Sequence, residues 1–442
     1  MIKTKTYDSG LQLVVDESNS PCVSFGAMYR VGSQNERENE EGFAHFIEHL
    51  MFKSTKNRST DKISSELEFL GSEINAYTCK THTCYHFKAI KENFEDSLKV
   101  YADMLQNGLL LQEEVDTERE VVVEEMNRSE DNPNSITWQE LDKSLYGGTK
   151  LAHRVLGTKE VIRGCTVAEL RAFRDRYYTP ENAVISIAGG ITFEEAEKLV
   201  KKNFAPYFTK RAEIRKYDTS ELNNKIVDPY VVYNKDDKQV NYKLAIKGVS
   251  LFDRDVYVQS LYSVILGGGM SSRLFSILRE QKSLAYGVGS IDNPSLQNGE
   301  IVLFIGTTRE KLKTAVAGMK EILYDMAKNG VTAEELDKAK NQLKASLVFG
   351  CEQTMSVMLN NAEQLTNKGK IETINDKLAK INSVSAEDIK RFAQRIFLEN
   401  EYVSVACGKD INKEDLQAFE TCIQAPQKPT EQTSCQNKNY EK

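Results

Sequence analysis

The chain has 442 residues, 40% hydrophobic and 28% charged, with 25 glycines and 8 prolines. These proportions exclude a collagenous, low-complexity or mainly disordered chain, and the length supports a large core divided into two or three domains. A net charge of −7, from 58 basic and 65 acidic residues, argues against nucleic acid as the main partner, and no uninterrupted apolar run predicts a membrane span.

The opening MIKTKTYDSG has neither an apolar signal core nor an Arg-rich amphipathic segment, so a cytoplasmic location is expected. GLQLVVDE and CVSFGAMYRV read as strands, with Ser9-Gly10 as turn chemistry. EEGFAHFIEHLMF reads as a helix opening after Gly42, and DKISSELEFLG as a second helix. INAYTCKTHTCYHFKAI follows as a pair of strands, then NFEDSLKVYADMLQN and EEVDTEREVVVEEMNRS return to helical spacing.

A long-range repeat organises the rest. AELRAFRDRYYTPENAVISIAGG (168–190) echoes AEDIKRFAQRIFLENEYVSVACG (386–408), and QEEVDTEREVVVEEM (112–126) echoes AEELDKAKNQLKASL (333–347). The expected fold class is α+β, with two homologous domains, each a mostly antiparallel sheet packed with helices. The domains are placed at 1–210 and 227–424, joined by a polar linker at 211–226. Residues 425–442 lack apolar periodicity and read as a disordered tail.

The chemistry concentrates in His45-Phe46-Ile47-Glu48-His49, which contains two of only five histidines. On a helix, positions i, i+3 and i+4 share one face, so both imidazoles and the carboxylate project together. Two histidines one turn apart can grip one zinc ion, with Glu48 placed to deprotonate a water that the metal activates. This is the H-x-x-E-H arrangement of inverted zincins. Chance alone would supply an H-x-x-[DE]-H in this composition about 0.008 times. A catalytic zinc needs a third protein ligand. Downstream, Glu118 and Glu125 lie two helical turns apart on one face with Val115 and Val122. We assign Glu125 as the ligand and Glu118 as the carboxylate that orients a ligating histidine.

Several stretches together resemble the pitrilysin and insulinase-like zinc peptidases, especially their mitochondrial-processing-peptidase-like branch. These are GFAHFIEHLMFKST (42–55), GSEINAYT (71–78), EREVVVEEM (118–126), AHRVLGTKEVI (152–162), YYTPENAVISIAGGI (177–191) and GGGMSSRLFSILREQKSLAYGV (267–288). The resemblance covers about residues 5–420. It implies one zinc per chain on His45, His49 and Glu125, Glu48 as catalytic base and Glu118 as helping acid, the same five residues. It further implies that Arg279 and Tyr286 serve a partner subunit's site. Tyr286 would donate to the tetrahedral oxyanion and Arg279 would hold a carbonyl or carboxylate. A dimer with composite sites follows, as a homodimer or as a heterodimer with a sister chain. The edge strand around Asn75, Ala76 and Tyr77 is implied to receive an extended substrate through backbone hydrogen bonds. Gly267, Gly268 and Gly269 are implied to form a flexible substrate-contacting loop, with a plain hinge or tight helix entry as the other reading; no Gly-Lys-Ser/Thr follows to make a P-loop.

Cys79, His82, Cys84 and His86 fit no structural zinc spacing and are not assigned a second metal, since 82, 84 and 86 share a strand face that 79 does not. His153 is read as a loop residue. At the helix echo the second half has Ala339 and Ser346 where the first has Glu118 and Glu125, and no histidine follows residue 153. The expected function is therefore a zinc metalloendopeptidase acting on peptides or unfolded polypeptide, with catalysis in the first half. A non-catalytic scaffold or substrate-binding subunit is the alternative. Neither nucleic acid nor membrane is expected as a partner.

Overall fold

A computed structural model describes residues 1–209, 211–217, 225–399 and 401–421. The tail read at 425–442 and residues 218–224 of the linker lie outside the described residues. In the first half, strands β1 (Ile2–Thr6), β2 (Gln12–Glu17) and β3 (Cys22–Tyr29) precede helices α1 (Phe43–Leu50) and α2 (Thr60–Phe69). The hairpin β4 (Glu73–Thr78) and β5 (Thr83–Ile90) leads into α3 (Phe94–Asn107), α4 (Gln112–Asp131), α5 (Pro133–Leu145) and α6 (Lys159–Gly164). Helix α7 (Val167–Tyr177), strand β6 (Ala183–Gly189) and α8 (Phe193–Asn203) close this half.

The second half runs β7 (Tyr230–Asn234), β8 (Gln239–Lys247), α9 (Val256–Gly267), β9 (Gly287–Asn293) and β10 (Glu300–Thr308). It continues through α10 (Arg309–Asn329), α11 (Ala333–Gly350), α12 (Thr354–Lys368), α13 (Ile374–Ser383), α14 (Ala386–Glu399), β11 (Tyr402–Gly408) and α15 (Lys413–Thr421).

The two sheets have the orders β1-β2-β6-β3-β5-β4 and β7-β11-β8-β10-β9. Without β1 they are the same sheet: β2 pairs parallel with β6 as β7 does with β11, and every other pairing is antiparallel. The repeated sequences fall on α7–β6 and α14–β11, and on α4 and α11, so the repeat is one of structure. The expected α+β fold with two mostly antiparallel sheets is what the chain adopts.

One feature the sequence did not announce is a reciprocal exchange of helices. Helix α12 of the second half packs on β3 and β6 of the first sheet, and α5 of the first half packs on β8 and β11 of the second. Val14, Val184 and Leu365 form one such contact; Leu141, Leu145, Ala245, Val302, Val403 and Val405 form the other. Hydrogen bonds seal the first: Ser186 Oγ donates to the Met358 carbonyl (2.8 Å), and Arg30 Nε to the Thr366 carbonyl (3.2 Å). Strands β6 and β11 are consequently covered on both faces and buried along their whole length. That explains why AVISIAG and YVSVACG read as nearly continuous apolar and small runs instead of alternating. No helix among the described residues is long and apolar enough to cross a membrane.

Candidate metal centre

Helix α1 is held by its apolar side. Phe43, Ala44, Phe46, Ile47 and Leu50 are buried, and burying each large side chain contributes about 1.5–3 kcal/mol, which fixes the helix's rotation. Gly42 at its N-cap takes φ +95°, and a Cβ there would stand 2.6 Å from the Leu156 carbonyl oxygen, so the entry needs glycine. The buried Glu36 carboxylate accepts from the Gly42 and Ala44 backbone N–H groups at 2.9 and 2.8 Å, satisfying two of the helix's free donors. His45, Glu48 and His49 are thereby turned to the opposite, half-buried face.

Helix α4 crosses that face. Val115, Val122 and Met126 are buried, while Glu118 and Glu125 point to the histidines. Glu125 Oε2 lies 3.7 Å from His45 Nε2 and 3.6 Å from His49 Nε2. One donor atom from each of the three residues falls within 4.8 Å of the others. Two atoms each about 2.0–2.1 Å from one zinc at a tetrahedral angle would stand about 3.3–3.4 Å apart, so small side-chain adjustments seat the ion. Two imidazoles and one carboxylate are a donor set that suits a zinc ion. Buried His45 Nδ1 has no hydrogen-bond partner among the described residues, so only Nε2 faces the cluster.

The surrounding groups fix tautomers and charges. His49 Nδ1 lies 3.1 Å from Glu118 Oε2, the geometry of an Nδ1–H donor that leaves Nε2 for a metal. Lys53 Nζ, one turn beyond His49, closes on the other Glu118 oxygen at 2.6 Å. The hydrogen bond from His49 and the one from Lys53 keep Glu118 below its ordinary range despite burial. Burial, aided by the charge of His49, pushes His45 down to about 3, so its imidazole is neutral and ligand-ready. Burial lowers His49, but the Glu118 hydrogen bond and the charges of Glu125 and Glu48 outweigh it and raise its pKa; those same carboxylates favour a cation at Nε2. Burial raises Glu48, and the hydrogen bond from Thr78 Oγ1 to its Oε2 (2.7 Å) draws it partly back.

Thr78 and Lys53 are site residues that sequence reasoning did not single out. Thr78 ends the GSEINAYT segment, and Lys53 carries an i+4 relation to His49. Thr78 reaches Glu48 because edge strand β4 runs beside α1. On that strand the Asn75 carbonyl accepts from the buried Tyr101 hydroxyl (2.9 Å), and Tyr77 OH donates to Glu363 Oε1 (3.4 Å).

The other expected residues stand apart from this cluster. Arg279 is stacked over Phe275, 4.5 Å from the ring centroid, and half-exposed Tyr286 donates to Gln239 Oε1 at 2.8 Å. Among the described residues, neither makes a hydrogen bond or ion pair to the histidines or glutamates of the first half. Gly267 ends α9 against β9, where a Cβ would meet the Ser290 backbone nitrogen at 2.3 Å; tight helix-to-strand packing accounts for that glycine. Gly268 caps α9, and Gly269 precedes the exposed Met270. His153 pairs with Glu41 (3.7 Å). Among the described residues, Cys79, His82, Cys84 and His86 do not converge on one point: Cys84 is sealed in the core, while Cys79 and His82 meet. Cys79 was expected to face away from His82; the hairpin turn between β4 and β5 reverses the chain and brings them together.

Comparison with known proteins fits this geometry. The model of the insulinase family (peptidase family M16) matches residues 13–159, and that of the peptidase M16 inactive domain matches residues 164–343. The uncharacterized zinc protease YmxG of Bacillus subtilis is 32% identical over 407 residues, covering 90% of this chain and 97% of that protein. An uncharacterized zinc protease of Rickettsia bellii is 31% identical over 376 residues, covering 85% and 90%. A protease from Helicobacter pylori superposes with TM-score 0.82 at 25% identity, over 92% of this chain and 99% of that one. A peptidase M16 inactive domain from Pseudomonas fluorescens shares the fold with TM-score 0.84 at 21% identity, over 93% and 99%. From a metal-ready first half, a second half without the donors, and full-length relatives called zinc proteases, the chain belongs to the insulinase family of peptidases, family M16.

Proposed function

We propose that this chain is a zinc metalloendopeptidase hydrolysing peptides or unfolded polypeptide segments. The observation that carries the reading is the convergence of His45, His49 and Glu125 around one point with Glu48 on the same helix face. His45, His49 and Glu125 would hold a zinc ion, which would supply Lewis acidity toward a scissile carbonyl and a water. Glu48 takes the proton of the attacking water and delivers it to the leaving amine. Thr78 holds the Glu48 carboxylate in place, and Glu118, backed by Lys53, holds His49 in its ligating tautomer. The substrate extends edge strand β4 along Asn75, Ala76 and Tyr77 by backbone hydrogen bonds.

Arg279 and Tyr286 act in the site of a second subunit, so the working form is a dimer with composite sites, most simply a homodimer. There Tyr286 would stabilise the oxyanion and Arg279 would hold the peptide, with the Gly267–Gly269 loop beside it. Digestion of a peptide library by the purified, zinc-loaded chain alone tests the activity. Zinc-dependent cleavage is expected; an intact library would favour the scaffold reading.

A further inference from the structure

The turn of the β4–β5 hairpin builds a second reactive centre around a sulfur atom. Three groups lie within hydrogen-bond reach of Cys79 Sγ: the His82 backbone N–H, which donates to it at 3.4 Å, His82 Nδ1 at 3.3 Å and the Thr81 hydroxyl at 3.4 Å, which also stands 2.9 Å from His82 Nδ1. A neutral thiol is a weak acceptor with a single proton, whereas a thiolate accepts from the backbone N–H and from a protonated Nδ1 at once, so the arrangement suits a thiolate facing an imidazolium. The far side of the imidazole is also occupied. Tyr77 OH donates to Glu363 Oε1 (3.4 Å), which leaves its oxygen to accept from His82 Nε2–H at 3.2 Å. With Nε2 protonated, Nδ1 is the atom that takes the thiol's proton.

The relay Glu363–Tyr77–His82–Cys79 therefore crosses from the exchanged helix α12 to the first sheet. Its other ionisable neighbours are Cys84 on β5 and Tyr217 of the linker, which faces Arg30 and donates to the Thr81 carbonyl (2.8 Å). Burial pushes the Cys79 thiol up, but the charge and hydrogen bond of His82 outweigh it and bring it down to about 7. His82 itself is buried, whereas Cys79 as a residue is only partly buried.

We propose that Cys79 and His82 form a thiolate–imidazolium pair that makes Cys79 a modification site for hydrogen peroxide. The sulfur attacks one peroxide oxygen and the O–O bond breaks. Sulfur is oxidised by two electrons to the sulfenic acid, and the departing hydroxide takes the proton from His82 Nδ1 and leaves as water. The site adjoins Thr78, the residue that holds Glu48, so an oxidised Cys79 would sit one residue from the donor to the proposed base.

Exposure alone predicts the opposite order of reactivity, because Cys351 is exposed and its thiol donates to the Leu347 carbonyl. Competitive alkylation with iodoacetamide on the intact chain, followed by peptide mapping, separates the two. At pH 7 Cys79 should label ahead of Cys351, with a rate half-maximal near pH 7, and hydrogen peroxide followed by dimedone should tag Cys79. His82→Gln should slow Cys79 labelling at pH 7 by about tenfold, as expected for a thiol returned to an ordinary pKa. Should that variant unfold, seen as labelling of the buried Cys84, Cys165 and Cys407, Tyr77→Phe tests the same relay and should also slow Cys79. Cys351 labelling first in the unsubstituted chain, or an unchanged Cys79 rate in folded His82→Gln, overturns the proposal.

Discussion

At His49 the imidazole is constrained from both ends, by Glu118 at Nδ1 and by the shared donor cluster at Nε2, and Lys53 anchors Glu118 in turn. Glu48 has one such anchor, the Thr78 hydroxyl. A hydrogen bond to a charged group is worth about 1.5–3 kcal/mol, so Thr78→Val should lower kcat about 10- to 100-fold. Zinc content and KM should stay near those of the unsubstituted protein, a split that steady-state kinetics and elemental analysis would read. The H-x-x-E-H triplet was legible because its geometry is local to one helical turn, and Glu118 and Glu125 because their spacing placed them on one face with Val115 and Val122. Thr78 was not, since its role arises only when β4 docks beside α1, 30 residues away in the chain.

Among elements, the exchange of α5 and α12 was invisible to sequence reading, because a helix's apolar face does not state which sheet it will cover. The domain limits read at 1–210 and 227–424 follow the repeat, whereas the packing interlocks the two halves. Near this exchange the Glu300 carboxyl on β10 is buried and accepts from Tyr146, just after α5, and from Asn293. Burial pushes it from an ordinary 4.5 up to about 7, against the opposing pull of those two hydrogen bonds. Between these pH values the folded chain keeps a proton that the unfolded chain has released, so stability falls as pH rises through that window. Glu300→Gln should remove this slope, gaining up to a few kcal/mol at pH 8 relative to the unsubstituted protein, as denaturant midpoints across pH 4–8 would show.

For the whole molecule, interlocking means that neither half has its sheet covered without the other. Residues 1–210 alone lack α12, leaving Val14, Met28, Val184 and Cys84 without their cover. That fragment should bind hydrophobic dyes and aggregate, and co-expression with residues 211–442 should rescue it, as size-exclusion chromatography would reveal. The composite-site reading is tested by mixing chains: Glu48→Gln with Tyr286→Phe should regain activity in mixed dimers, since one of the two sites is then intact, and no recovery counts against sharing across subunits. The central claim rests on Glu48 as the base beside a metal held by its neighbours. The most direct measurement compares the unsubstituted chain with Glu48→Gln for bound zinc and for peptide cleavage. One zinc per chain in both, with cleavage in the variant reduced by about 10²- to 10⁴-fold, is the expected result; undiminished cleavage by zinc-loaded Glu48→Gln would contradict it.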